Sequence, residues 1–134
     1  AWRDTYQKNP GHVTVAFKLA YQLHIKHKTA EAIQQYRNVL ELEADHLEAH
    51  NNLGALLNSQ NRYGEAQRHL MEALRLAPNF SEGHNNLGIS LASQGKREEA
   101  GQHFQEAFRL NPENVESRRN FQILKAAEAK MIRQ

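Results

Sequence analysis

Apolar side chains recur along this chain at two spacings, one typical of a helix and one much longer. Leu53 and Leu57 lie four residues apart, which places both on one face of an α-helix. The pair returns further along the chain as Leu87 and Leu91. At the same interval upstream, the two columns hold Leu19 and Leu23. The pattern therefore predicts an all-α protein built from amphipathic helices in a structural repeat.

The repeat is also visible as identical sequence. The five residues from His50 to Gly54, which read His-Asn-Asn-Leu-Gly, return unchanged from His84 to Gly88. A period of this length, about 34 residues, accommodates two helices and two turns. The sequence predicts three such units in one frame, which are repeat 1 at 13–46, repeat 2 at 47–80 and repeat 3 at 81–114.

Small residues occupy two further columns of the repeat. The column on the first helix of each unit contains Ala20, Gly54 and Gly88. The column on the second helix contains Ala32, Ala66 and Ala100. We expect the two columns to face each other where the helices cross, because small residues let the backbones approach closely.

Turn residues predict where the helices end. Asn61 and Gly95 follow two of the first helices and tolerate the left-handed conformation that ends a helix. Asp45 and Ser81 are the predicted N-caps of the first helices in repeats 2 and 3. The predicted helices are 13–26, 29–43, 47–60, 63–76, 81–94, 97–110 and 115–132.

The two ends of the chain depart from the full unit. Residues 1–10 align with the end of a preceding repeat's second helix, and Trp2 falls in a column of bulky residues. Residues 115–134 are predicted to form a capping helix, because a terminal unit must cover the core of its neighbour. The alternative is the first helix of a degenerate fourth repeat. The apolar face of this last helix is predicted to contain Phe121, Leu124, Ala127 and Met131.

These motifs resemble the tetratricopeptide repeat family over nearly the whole chain. The resemblance implies a right-handed α-solenoid of antiparallel helix-turn-helix hairpins. It also implies that the first helices line a concave groove, which receives a peptide or a helix of a partner protein. A protein-protein interaction scaffold is therefore the leading hypothesis for function, with a partner that the sequence does not identify.

The asparagine column gives this groove a candidate chemistry. Asn52, Asn86 and Asn120 share one column, and the doubled asparagine before Leu-Gly is similar to the repeats in the arm of O-GlcNAc transferase. A column of amides could bind an extended backbone, since each amide both donates and accepts hydrogen bonds. Alternatively, the same amides satisfy polar groups of the hairpins themselves. The sequence leaves both interpretations open.

Other predicted groove residues come from the same helix faces. Phe17 and Tyr21, four residues apart, would form an aromatic end of the groove or would be covered in a longer protein. The remaining predicted members are Asn51, Asn58, Asn85, Ile89 and Ala92.

One binding mode of the family, the carboxylate clamp for acidic chaperone tails, fits this sequence poorly. The clamp requires cations on the first helices, and this chain has Phe17 and Glu82 at two of those positions. Moving the frame by one repeat places Glu116 at such a position instead. A terminal carboxylate would meet a glutamate there, so chaperone tails are not the expected partner.

Composition excludes several other functions. The chain has no cysteine, a net charge of +2 and no apolar run long enough to span a membrane. Its basic residues form no first-helix column, so no nucleic acid is expected. His24 and His27 are too few to predict a metal site, and no catalytic group or cofactor motif is present. The compartment stays unknown, with the cytoplasm favoured.

Two alternative functions remain from the sequence. Self-assembly would use an open N-terminal face around Trp2, Tyr6 and Phe17. A non-catalytic targeting arm of a larger enzyme, such as a glycosyltransferase, would use the same groove as a binding scaffold.

Overall fold

The computed structural model describes residues 10–133, which form seven α-helices and contain no strand. The helices are α1 Pro10–Ile25, α2 Thr29–Leu42, α3 Leu47–Ser59, α4 Tyr63–Leu76, α5 Ser81–Ser93, α6 Arg97–Leu110 and α7 Val115–Arg133. Each predicted helix is present, and its ends lie within a few residues of the prediction. The all-α class is confirmed.

The helices stack as antiparallel hairpins into a solenoid. The pairs α1–α2, α3–α4 and α5–α6 pack together, and each second helix also packs against the first helix that follows it. The first helix α5 contacts both α3 and α7, whereas the second helices of the described chain share no comparable contact. Because the first helices lie closer together, they form the inner, concave side of the solenoid.

The core lies between the two helices of each hairpin. The leucine columns at 53, 57, 87 and 91 are buried, as the sequence predicts. Gly54 faces Leu70, and Gly88 faces Phe104, so each small residue accommodates a large one from the second helix. A bulky side chain of the second helix therefore fills the space that each glycine leaves.

The turns after the first helices repeat one backbone conformation. Asn61 and Gly95 have φ angles of +60° and +83°, which confirms the prediction for both residues. His27 stands in the same column and has a φ of +59°; histidine, like asparagine, adopts this conformation more often than most residues other than glycine. In each case the residue that follows donates its backbone N–H to a carbonyl five residues earlier, which ends the helix.

The predicted N-caps of α3 and α5 are wrong. His46 caps α3, where its Nδ1 accepts a hydrogen bond from the backbone N–H of Ala49. Asp45 instead forms an ion pair with Arg75 at 2.9 Å. Ser81 is the first residue of α5, and its hydroxyl donates to the carbonyl of Ala107. Both side chains are thus used for contacts between helices.

The two ends of the stack differ from the sequence expectation. Pro10 lies within α1, although the repeat places it at the end of a preceding helix; Trp2 and Tyr6 lie outside the described residues. Leu19 is 50% exposed, while its equivalents Leu53 and Leu87 are buried, because no described helix precedes α1.

In α7 only part of the predicted apolar face packs. Leu124 is buried and Phe121 is partly buried against the core. Ala127 and Met131 are exposed, and Ala127 shares the surface between α5 and α7 with Leu124. Met131 lies beyond the length of the other first helices, because α7 has 19 residues whereas α3 and α5 have 13 each.

Candidate functional site

An apolar groove lies on the concave side between α5 and α7. It has a volume of about 250 Å³, and Ile89 and Ala92 of α5 face Asn120, Ile123 and Leu124 of α7 across it. Ile89 and Ala92 are partly exposed, as expected for residues that were predicted to line the groove. The groove therefore offers apolar surface with one amide at its side.

An equivalent groove lies two repeats earlier, between α1 and α3. It has a volume of about 450 Å³ and is lined by Ala55 and Ser59 of α3 and by His24 and Ile25 of α1. Ala55 lies two repeat periods before Ile123, so the same face of the first helices lines both grooves. The concave side is thus accessible towards both ends of the stack.

The asparagines of the first helices form hydrogen bonds between neighbouring repeats. The Nδ2 of Asn86 donates to the Oδ1 of Asn51 at 3.1 Å, and Asn120 donates to Asn85 in the same way at 3.0 Å. Asn51 and Asn85 are only 2% and 3% exposed. Their amides satisfy each other across α3, α5 and α7, as one of the two sequence interpretations expected.

Asn58 and Asn52 also have partners within the chain. Asn58 is buried, donates to the carbonyl of Asn86 and accepts a hydrogen bond from the hydroxyl of Ser90 at 2.7 Å. Asn52 donates to the hydroxyl of Tyr36 at 3.3 Å and stays partly exposed. Of the predicted asparagines, Asn52 and Asn120 are therefore the two that solvent reaches best.

The two predicted aromatic residues have different surroundings. The ring of Phe17 stacks on His46 with centroids 4.8 Å apart and also contacts Tyr36, so its face is covered within the chain. Tyr21 is 46% exposed beside the groove that contains His24. Burial raises the pKa of Tyr36 to about 12, so its hydroxyl remains protonated and available to its partners.

In each of two hairpins, a pair of histidines connects the two helices. The Nδ1 atoms of His50 and His69 are 3.1 Å apart, and those of His84 and His103 are 3.0 Å apart. His50 Nε2 lies 2.8 Å from the carbonyl of Ala44, which requires Nε2 to donate and leaves Nδ1 as the acceptor. In each pair one Nδ1 therefore donates and the other accepts.

Sequence reasoning missed Ile123 and, although it considered Glu82 and Glu116 separately, the acidic row that they form with Glu48. Ile123 lies one repeat period after Ile89 and is 60% exposed in the groove. Exposed glutamates also recur with this period in the first turns of α3, α5 and α7, at Glu48, Glu82 and Glu116. The repeat itself carried both signals, since each position follows from its neighbour by one period.

Residues 10–133 contain neither a candidate metal site nor a candidate membrane-spanning helix. No group of three or more histidine, cysteine, aspartate or glutamate side chains in this part of the chain could hold a metal ion. Within the same residues, no helix combines the length and hydrophobicity that crossing a membrane requires.

Comparisons with known proteins agree with this geometry. Two family models, both described as tetratricopeptide repeat, match residues 23–87 and 81–114. Together they cover most of the chain, and the match to residues 81–114 coincides with repeat 3. The chain belongs to the tetratricopeptide repeat family. The search of curated proteins finds no match.

Solved structures share the fold at low sequence identity. The first tetratricopeptide domain of Spaghetti bound to an HSP90 peptide superposes with a TM-score of 0.83 and 18% identity, covering 87% of this chain and 93% of that one. The Yersinia enterocolitica chaperone SycD, solved as an alternative dimer, superposes with a TM-score of 0.81 and 14% identity. The match covers 90% of this chain and 96% of that one.

An enzyme is also among the similar structures. A mutant of the Thermobaculum terrenum O-GlcNAc transferase superposes with a TM-score of 0.80 and 23% identity, covering 84% of this chain. This chain spans 22% of that structure. At these identities the likeness defines the fold, which is typical of a non-catalytic interaction module.

Proposed function

We propose that this chain is a peptide-binding module whose concave side holds a segment of a partner protein. The observation that carries the proposal is the apolar groove between α5 and α7, with Ile89 and Ile123 on its two walls. An isoleucine side chain that becomes fully buried contributes about 1.5–3 kcal/mol. An apolar side chain of a partner would cover both residues in this groove.

The amide of Asn120 supports the binding of an extended backbone. It lines the groove, and its Nδ2 donates to Asn85, which leaves its Oδ1 to accept a hydrogen bond from a partner N–H. Asn52 is the equivalent on α3 and donates to Tyr36 through its own Nδ2. The revised asparagine site therefore consists of carbonyl oxygens at Asn52 and Asn120, supported by the hydroxyl of Tyr36 and the buried amide of Asn85.

Similar folds bind peptides, which is consistent with the proposal at the level of the class. The Spaghetti domain was solved with the HSP90 peptide SRMEEVD, and the second such domain of human RPAP3 with the HSP70 peptide SGPTIEEVD. In this chain Glu82 and Glu116 stand at positions where a clamp for such tails requires cations. The partner proposed here is accordingly a different peptide.

A selection from a random peptide library tests the proposal. We expect the chain to enrich peptides, and Ile123→Asp to abolish the enrichment, because the exposed side chain can be replaced without affecting the core. Met71→Asp on α4 is the matched control, since Met71 is similarly exposed on a second helix. Loss of enrichment in the Met71 variant alone would place binding on the opposite side and contradict the proposal.

Substituting the buried asparagines is a poorer test of the groove. Asn86→Ala removes a hydrogen bond to Asn51 and leaves that oxygen without its partner, which costs about 1–3 kcal/mol when the group is buried. A loss of binding would then report on repeat stacking. Asn52→Ala is the better variant, because Asn52 is partly exposed and its partner, the hydroxyl of Tyr36, keeps its contact with the Nδ1 of His24.

A further inference from the structure

We infer that the concave groove selects a partner segment carrying basic residues beside an apolar anchor. The inference rests on the proposed function, and it adds the charge of the partner. Two observations carry it: a row of exposed glutamates along one edge of the groove, and the absence, within residues 10–133, of any lysine or arginine paired with that row.

The acidic row consists of one glutamate from the first turn of each successive first helix. Glu48, Glu82 and Glu116 are exposed and stand one repeat period apart. Glu82 shares a helix face with Ile89, seven residues later, so the row and the apolar groove belong to one surface. The Nδ2 of Asn51 donates to Glu82 Oε1 at 3.1 Å and thereby holds this carboxylate on the concave side.

Three glutamates on the second helices, by contrast, form ion pairs with arginine. Glu65 pairs with Arg62 and Arg37, Glu72 pairs with Arg75, and Glu106 pairs with Arg109. Within residues 10–133 no lysine or arginine forms an ion pair with the acidic row. The row therefore retains its negative potential, whereas these three glutamates of the second helices are paired with arginine.

Nearby cations determine which part of the acidic row has the strongest negative potential. Lys18 of α1 and Arg119 of α7 lie in the asparagine columns of the first helices, at the two ends of the stack. The Nδ1 of His46 lies 3.5 Å from a carboxylate oxygen of Glu48, but this nitrogen accepts the hydrogen bond that caps α3 and so carries no proton. Glu82, the central member of the row, is consequently where a cationic side chain gains most.

The spacing of the helices predicts the pattern of the peptide. Neighbouring packed helices lie about 8–10 Å apart, and an extended chain advances about 3.3 Å per residue. Seven residues of α-helix separate Glu82 from Ile89, about 10 Å at a rise of 1.5 Å per residue. A basic residue about three positions from the apolar anchor would thus reach the row while the anchor fills the groove.

The acidic residues also have a structural role that the experiment must separate from binding. A carboxylate in the first turn of a helix interacts favourably with the helix dipole, whether or not a ligand is present. That role alone predicts a lower free energy of unfolding in the Glu→Gln variants and an unchanged peptide affinity. Peptide affinity is therefore the deciding measurement.

Two synthetic peptides with blocked termini form the test. Each carries a central leucine, with lysines three positions to either side in one peptide and glutamates in the other. Fluorescence anisotropy should give at least about tenfold tighter binding of the lysine peptide, equivalent to about 1.4 kcal/mol. The difference should shrink at high salt, because exposed charges are screened.

Variants of the chain test the charge selection separately from binding in the groove. Glu48→Gln and Glu82→Gln should each weaken the lysine peptide about two- to fivefold, while Glu72→Gln, the same change on a second helix, leaves its affinity unchanged. Equal binding of both peptides that Ile123→Asp abolishes would refute the charge selection and keep the groove. Binding of neither peptide, or binding that Ile123→Asp leaves intact, would refute the groove itself.

Discussion

At Gly88, an added methyl group would lie against Cε1 of Phe104, closer than two carbon atoms approach in folded proteins. Gly54 has the same relation to Leu70 in the preceding hairpin, at 2.5 Å. Phe104 and Leu70 are buried among other core residues, so neither can move aside without disturbing its neighbours. The absence of a side chain at these glycines therefore sets how closely the hairpin helices approach.

We predict that Gly88→Ala lowers the free energy of unfolding by about 1–3 kcal/mol, the usual cost of forcing an extra carbon into a packed core. Urea denaturation followed by circular dichroism measures this change. Gly64→Ala is the control, because no atom lies within 4 Å of the added carbon. That variant should be neutral or slightly stabilising, since alanine is the better helix former. Equal stability of the two variants would contradict the close approach at Gly88.

At the scale of the elements, a pair of histidines connects the two helices in each of two hairpins, and the stability of this contact depends on pH. Burial lowers the pKa of His69 to about 4, and the neighbouring His50, Arg37 and Arg68 add to this effect. Burial, followed by His84, also lowers the pKa of His103, while Glu99 and Glu106 act in the opposite direction. The rings of His69 and His103 therefore stay neutral in the pH range in which a free histidine takes up a proton.

The sign of the pH dependence follows from these shifts. Below about pH 6.5 the unfolded chain binds a proton at His69 that the folded chain does not, so the free energy of unfolding should fall as the pH falls. The loss should end near pH 4, the pKa of His69 in the folded chain. Denaturant unfolding across this range measures the slope. His69→Gln should flatten it, and an unchanged slope in this variant would contradict the assignment.

The hydrogen bonds between asparagines act at the same scale, because they join successive first helices rather than atoms of one helix. Asn51 contacts Asn86 and Glu82, while Asn85 contacts Asn120. Buried polar groups require partners, and these pairs form only when neighbouring repeats are in register. They therefore specify how one hairpin sits on the next.

At the scale of the whole molecule, the stack depends on its last helix. In a solenoid each unit contacts only its neighbours, so the stability of the final hairpin depends on the helix that covers it. Leu124 of α7 is 8% exposed and belongs to the core, whereas Ile132 near the end of α7 is 86% exposed. The covering function thus resides in the first part of α7.

We predict that Leu124→Ala lowers the free energy of unfolding by about 2–5 kcal/mol, as for other buried leucines. Ile132→Ala, a similar truncation on the same helix, should change it by less than about 0.5 kcal/mol. Thermal and urea unfolding measure both. Hydrogen exchange should further show α6 and α7 losing protection first in Leu124→Ala. A comparable loss in Ile132→Ala would mean that the end of α7 also packs on the stack.

The sequence alone determined the period, the seven helices and the left-handed turns at Asn61 and Gly95. These features are local: they depend on the spacing of leucines along one helix and on the conformational freedom of single residues. The repeated unit also identified which helix face is buried, because a column of apolar residues at one position needs the same neighbour in every hairpin.

The tertiary structure decided the partners of the polar side chains. Asparagine donates and accepts equally well towards a ligand or a neighbouring helix, so the sequence could not assign Asn51, Asn85 and Asn86 to contacts between repeats. The large residue opposite each core glycine, the cap at His46 and the burial of only part of α7 likewise required the packed stack. Each depends on the distance between atoms of different helices, a quantity that the pattern along a single helix does not contain.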